Sequence, residues 1–187
     1  FAGTAERRGE GPPPPDFGGV AWSFPWARGY ALDARVGPHA VSGIPLSPWH
    51  VCVVDGLVFT CDEKSIFGWK LGSGEPIWAP ARSPVLFSLV GDGQGVTTHQ
   101  YPTVGSPSFT VTVAGGRLYA RLGSITMGRP THPVPASSIV CLNVGAGQGR
   151  VEWVVEARDL DLEPGDWVFE GTPVVSGDRA VVAVRLS

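Results

Sequence analysis

A chain of 187 residues, 43% hydrophobic and 17% charged, is long enough for one domain with a sizeable core. Its net charge of −3, without Lys/Arg clusters, leaves no electrostatic footprint for nucleic acid or an anionic membrane, and no apolar stretch approaches the roughly 18 residues of a spanning helix. Three Cys are an odd number, which argues against a disulfide scaffold; 26 Gly and 18 Pro between apolar runs point to many turns.

Residues 1–19 are rich in Gly and Pro and lack hydrophobic periodicity. Pro12 to Pro15 predict polyproline II, so this stretch reads as a semi-rigid lead-in or linker. Arg7 and Arg8 are followed by no apolar run and form no signal-peptide pattern. Residues 20–24 read as a short strand carrying Trp22. Residues 25–48, punctuated by Pro25, Pro38, Pro45 and Pro48, read as loop with short strands around 30–36 and 39–42.

From Trp49 the pattern sharpens into a repeat unit spanning 49–79. An apolar run (Val51, Cys52, Val53, Val54) meets the dipeptide Asp55-Gly56, and a second run covers 57–61. Asp-Gly between two such runs predicts a hairpin, because a type I′ turn needs positive φ at both central residues. A third run follows over 65–71, then a turn at 72–74 and a short fourth run ending on Trp78. Runs this short and β-branched are strands, not helices.

Residues 79–108 form a Pro/Gly region with one apolar run at 85–90. The pattern then returns over 109–155: strands at 109–114 and 117–122 around Gly115-Gly116, an insertion at 123–137, a third strand at 138–143 and a fourth ending in Trp153. Residues 156–168 are an acidic connector, and a third copy starts over 169–187 around Gly177-Asp178. The three turns recur about every 60 residues, and such units need stacked neighbours to bury their faces. The expected fold is all-β, a partial β-propeller of antiparallel four-stranded blades, two complete and one stopping after two strands.

The segment Gly68-Trp69-Lys70-Leu71-Gly72-Ser73-Gly74-Glu75-Pro76-Ile77-Trp78 resembles the tryptophan motif of the pyrroloquinoline-quinone-type β-propeller repeat, Ala-x-Asp-x-x-Thr-Gly-x-x-x-Trp. Gly68 takes the small position, Ser73-Gly74 the turn and Trp78 the docking Trp. Cys141 through Gly147 and Gly149 to Trp153 is similar, with two extra turn residues; Lys70 and Asn143 depart from the acidic position. In physical terms, a Trp closing an outer strand can lie across the turn glycine of a neighbouring blade and bury on the order of 150–250 Å².

The resemblance implies either a non-catalytic, extracytoplasmic scaffold like the bacterial outer-membrane assembly factors, or a fragment of a quinoprotein dehydrogenase, or the sensor propeller of a larger receptor. The dehydrogenases pair their quinone and calcium with an Asp base and two adjacent Cys. Here Cys52, Cys61 and Cys141 are scattered, each inside a strand. The Asp55-Gly56 turn sets residue 52 opposite Phe59 and His50 opposite Cys61, leaving the two Cys diagonal at about 7–8 Å. His50, Cys52 and Cys61 share a face, but without a fourth metal ligand they read as core residues.

The alternating carboxylates of the connector (Asp159, Asp161, Glu163, Asp166) miss the calcium-loop spacing and read as a solvated loop. Gly145, Gly147 and Gly149 imitate a phosphate loop in letters only, since a strand follows. His39, His99 and His132 lie in loops as surface residues. No catalytic, cofactor-binding or metal residue is therefore assigned. The expected partner is a protein, met through loops at the blade rims, with self-association through the open edge of the last strand.

Overall fold

Apolar runs of three to ten residues, broken by Gly, Asp and Pro, have only β-structure open to them. The computed structural model describes residues 21–23, 50–62, 64–77, 84–89, 109–123, 136–145 and 149–186. There the protein is all-β, apart from one 3₁₀ turn at Ala157–Asp159. The proline lead-in, the strands expected at 30–36 and 39–42, Trp78, Gly147, His39, His99 and His132 lie outside the described residues. Residues 21–23 correct the expected first strand: they form a bend and irregular backbone.

The first sheet runs in chain order through β1 (Cys52–Val54), β2 (Leu57–Cys61), β3 (Ser65–Lys70) and β4 (Val85–Ser88). The second repeats it with β5 (Val111–Ala114), β6 (Arg117–Leu122), β7 (Ser138–Asn143) and β8 (Arg150–Glu156). A two-stranded sheet follows, β9 (Trp167–Ser176) with β10 (Arg179–Leu186). All pairings are antiparallel.

The fourth strand of the first sheet is not where the sequence placed it. Lys70 N–H donates to Glu75 O, Trp69 bridges Pro76 and Ile77 N–H donates to Gly68 O, but among the described residues this contact is an isolated bridge and not a strand. Gly68 N–H instead donates to Pro84 O, and β4 pairs with the first half of β3. The ladder thus changes partners at Gly68. Pro76 and Pro84 have no N–H to donate, so each sits at the sheet margin. In the second sheet the equivalent point carries only a bulge, in which Glu152 is the extra residue between Val151 and Trp153. The acidic connector is also shorter than expected, since β9 already begins at Trp167, whose indole N–H donates to Glu163 O at 2.7 Å.

The two four-stranded sheets share a register. Val54 faces Leu57 and Leu57 faces Lys70, as Ala114 faces Arg117 and Arg117 faces Asn143. Phe59, Cys61 and Ile66 of the first sheet therefore match Tyr119, Arg121 and Ile139 of the second. The first three turn toward the second sheet and pack with Leu118, Ala120, Leu122, Val140 and Leu142. The second three face the last hairpin: Ile139 packs with Phe169, and Arg121 Nε donates to Phe169 O at 3.1 Å. Each sheet thus turns the same face to the next. Burial of Phe59, Ile66, Leu118 and Leu142, each at 1% exposure or less, stabilises the first seam by about 1.5–3 kcal/mol per side chain.

The second seam is more polar. Thr112 Oγ1 donates to Pro173 O at 2.8 Å, Thr172 Oγ1 to Thr110 O at 2.6 Å, and Phe169 N–H to Ser137 Oγ at 3.0 Å. The first two bonds seat β9 along β5, and the third ties it to the entry of β7. Opposite Val182 the hairpin bulges, with Gly171 at φ 78 absorbing the extra backbone.

Candidate functional site

The tight turns are local in origin and gather at one rim. Asp55 (φ 49) and Gly56 (φ 74) both take positive φ, as do Gly115 (φ 56) and Gly116 (φ 74), the type I′ pattern that matches strand twist. Asp is one of the few residues with a side chain that tolerates this region. At the third turn only Gly177 has positive φ, at 61, so that hairpin closes with Asp178 in ordinary backbone. Each first turn then anchors the next. Leu71 N–H donates to Gly56 O at 2.8 Å, and Val144 and Gly145 N–H donate to Gly116 O at 2.9 and 3.0 Å.

Between these turns opens a cleft of about 170 Å³. Leu57, Phe59 and Val113 supply its apolar lining, Gly115, Gly116 and Gly145 its backbone walls, and Asp55 the one ionisable group. Gly116 and Gly145 approach closely: a Cβ on Gly145 would lie 3.7 Å from Gly116 Cα.

The blade-motif residues divide. Gly68 leaves room for two side chains, since a Cβ there would meet Ile77 Cδ1 at 2.5 Å and Leu86 Cδ1 at 2.8 Å and push them aside. Ser73 Oγ accepts from Glu75 N–H at 3.3 Å, closing the turn that ends in Gly74. Gly74 (φ 69) and Gly149 (φ 82) are structural equivalents, because each N–H donates back to the last residue of the third strand, Lys70 and Asn143 respectively. The turn glycine matched to Gly74 is accordingly Gly149. Cys141 is fully buried opposite Trp153.

The Trp153 ring lies 6.0 Å from Tyr119 of its own sheet, and the residue is 37% exposed. The residue that behaves as a staple is Trp22. Its indole N–H donates to Leu71 O at 2.7 Å, and a Cβ on Gly74 would meet its ring carbons at 2.6 Å. Trp69 lies 6.4 Å from it and stacks on Phe67. The one available signal was Trp22 itself, a large aromatic in an otherwise irregular stretch.

The titratable groups describe a structural economy. Burial pushes the Cys61 thiol up to about 12, nearby Asp62 adds to the shift and Arg121 opposes it. Its Sγ contacts Thr110 O at 3.5 Å. Burial likewise raises Cys52 and Cys141, so all three favour the thiol over the thiolate that a nucleophile or metal site uses. His50 does not extend the ladder to Cys61, since its N–H donates to Phe109 O at 3.0 Å. Asp62 Oδ1 accepts from Lys64 and Ser65 N–H at 2.8 and 2.7 Å and closes the β2–β3 turn, yet burial raises its pKa. Its spacing to Ser65 was a readable Asx-turn signal.

On the surface, Arg117 Nε pairs with Glu152, which also accepts from Asn143 Nδ2 at 3.0 Å, and both bonds hold the Glu152 carboxyl below its usual range. Among the described residues no group of three His, Cys, Asp or Glu is placed to hold a metal ion. None of their helices is long and apolar enough to cross a membrane. No family model, no curated protein and no solved structure matches the chain.

Proposed function

We propose that the protein is a non-catalytic, protein-binding scaffold of the β-propeller type, related to the pyrroloquinoline-quinone-like repeats its sequence resembles and acting outside the cytoplasm. The observation that carries this reading is the repeated stacking. Phe59, Cys61 and Ile66 of one sheet and Tyr119, Arg121 and Ile139 of the next occupy matched positions and both face the following sheet. Repetition of one face against the next builds arrays and propellers, whose rims carry the contacts. The turns at Asp55-Gly56 and Gly115-Gly116 form such a rim, and β10 offers an edge to which further strands or a second copy would add.

The test is site-specific photocrosslinking in a native extract from position 145 in the rim cleft and from position 166 in the β8–β9 connection. Discrete protein adducts are expected from 145 and not from 166; equal adduct patterns would remove the rim as a binding surface. Dye reduction by the purified chain with added pyrroloquinoline quinone and calcium would instead establish the dehydrogenase reading.

A further inference from the structure

We propose that the cleft between the Asp55-Gly56 and Gly115-Gly116 turns is a socket for one lysine or arginine side chain of the partner, an inference that rests on the protein-binding reading above. Size decides the class of ligand first. A volume of about 170 Å³ holds roughly five waters at about 30 Å³ each. Small-molecule sites start near about 300 Å³, so the cleft is of a size for a single side chain.

Chemistry then selects the side chain. Leu57 and Val113 offer an apolar path above the buried Phe59, and Asp55 stands as the only ionisable lining residue. An aliphatic stem with a cationic end satisfies both, lying along apolar surface while its head stays in water beside the carboxylate. A purely aliphatic group would use the path and leave the carboxylate idle, and an acidic one would be repelled.

The carboxylate is also available. The four ion pairs formed among the described residues use Glu75, Glu152, Glu156 and Glu170 and leave Asp55 out. The residue following each hairpin turn sharpens the contrast: Arg117 and Arg179 follow the second and third turns, whereas Leu57 follows the first. Asp55 thus enters no ion pair among the described residues, and its backbone is held by the type I′ turn. An exposed contact of this kind contributes more to choice of partner than to affinity.

The experiment uses the 187-residue chain, labelled with ¹⁵N, and three capped pentapeptides with Lys, norleucine or Glu flanked by glycines. The lysine peptide is expected to shift the amide signals of Asp55, Gly56, Gly115 and Gly145 with millimolar affinity, norleucine about fivefold more weakly, and Glu not at all. Asp55→Asn keeps a residue that tolerates positive φ, so it should leave the urea midpoint in place and bring lysine down to the norleucine response. Equal binding of lysine and norleucine, survival of the lysine response in Asp55→Asn, or no shift with any peptide overturns the socket. Crosslinks from position 145 that persist in Asp55→Asn would sink the socket while leaving the scaffold reading standing; their absence from the parent chain removes the scaffold reading itself.

Discussion

The indole of Trp22 lies flat against the backbone of Gly74, 52 positions along the chain, with no room between them for a methyl group. Its N–H is fixed on Leu71 O, three residues before Gly74. This single seat ties the segment before the repeats to the first sheet.

Coupling between the two follows. Gly74→Ala adds a Cβ at 2.6 Å from the ring and places Ala at φ 69, so it should cost about 1–2 kcal/mol for the left-handed backbone plus the displacement of the indole. Trp22→Ala should cost about 2–3 kcal/mol for a partly exposed Trp. In the double variant Gly74→Ala should add only its backbone cost to the loss from Trp22→Ala. Urea midpoints of the four proteins measure the cycle, and strict additivity would disprove the seat.

Arg121 should act as the clamp between the second sheet and the last hairpin. Its side chain is 1% exposed and its Nε donates to Phe169 O. Arg121→Leu keeps the bulk but removes a charged hydrogen bond, at about 1.5–3 kcal/mol. Hydrogen exchange should quicken across β9 and β10 while β2 and β3 keep their protection. Uniform loss would show a general core defect in place of a clamp.

Asp62 sets a pH dependence with a definite sign. Its folded pKa is raised above the ordinary 3.8 by burial, so its contribution to stability is fully present below that value and is lost as pH rises through the folded pKa. Asp62→Asn retains the acceptor oxygen without the charge. The variant should therefore gain on the parent chain as pH climbs from about 3 toward neutrality, read as the difference between denaturation midpoints. A variant that loses ground on the parent chain as pH rises would contradict the burial of the carboxylate.

Thiol reactivity should be graded in the same terms. Cys52 is half-buried, whereas Cys61 and Cys141 are at 0% exposure. With an aromatic disulfide reagent at pH 8, Cys52 should react first and the other two should wait for opening of the seam, giving one early phase followed by slow ones. Simultaneous labelling would mean that the core opens globally at that rate.

The last hairpin should govern association. Val174 and Val181 pair across its outer face at 71% and 65% exposure, and β10 has an open edge among the described residues. Sedimentation should show concentration-dependent association that Val181→Lys suppresses. A monomer at all concentrations would remove the edge as an interaction surface.

Turn chemistry and strand parity were readable before any coordinates, because both are local. Asp55-Gly56 and Gly115-Gly116 demand a backbone that only a tight hairpin satisfies, and alternation sets Cys52 opposite Phe59 once that turn is placed. From these came the all-β class, the repeat and the first three strands of each sheet. What closes a sheet and what covers it are long-range matters. The fourth strand at Val85–Ser88 depends on Gly68 exchanging one partner for another, and Trp22 becomes a staple because a turn glycine of the first sheet lies against its ring. The rim cleft is likewise invisible in sequence, since it exists only where turns 60 residues apart meet. Local φ preferences wrote the hairpins; the stacking of one sheet face on the next decided the staple, the buried Arg121 and the site.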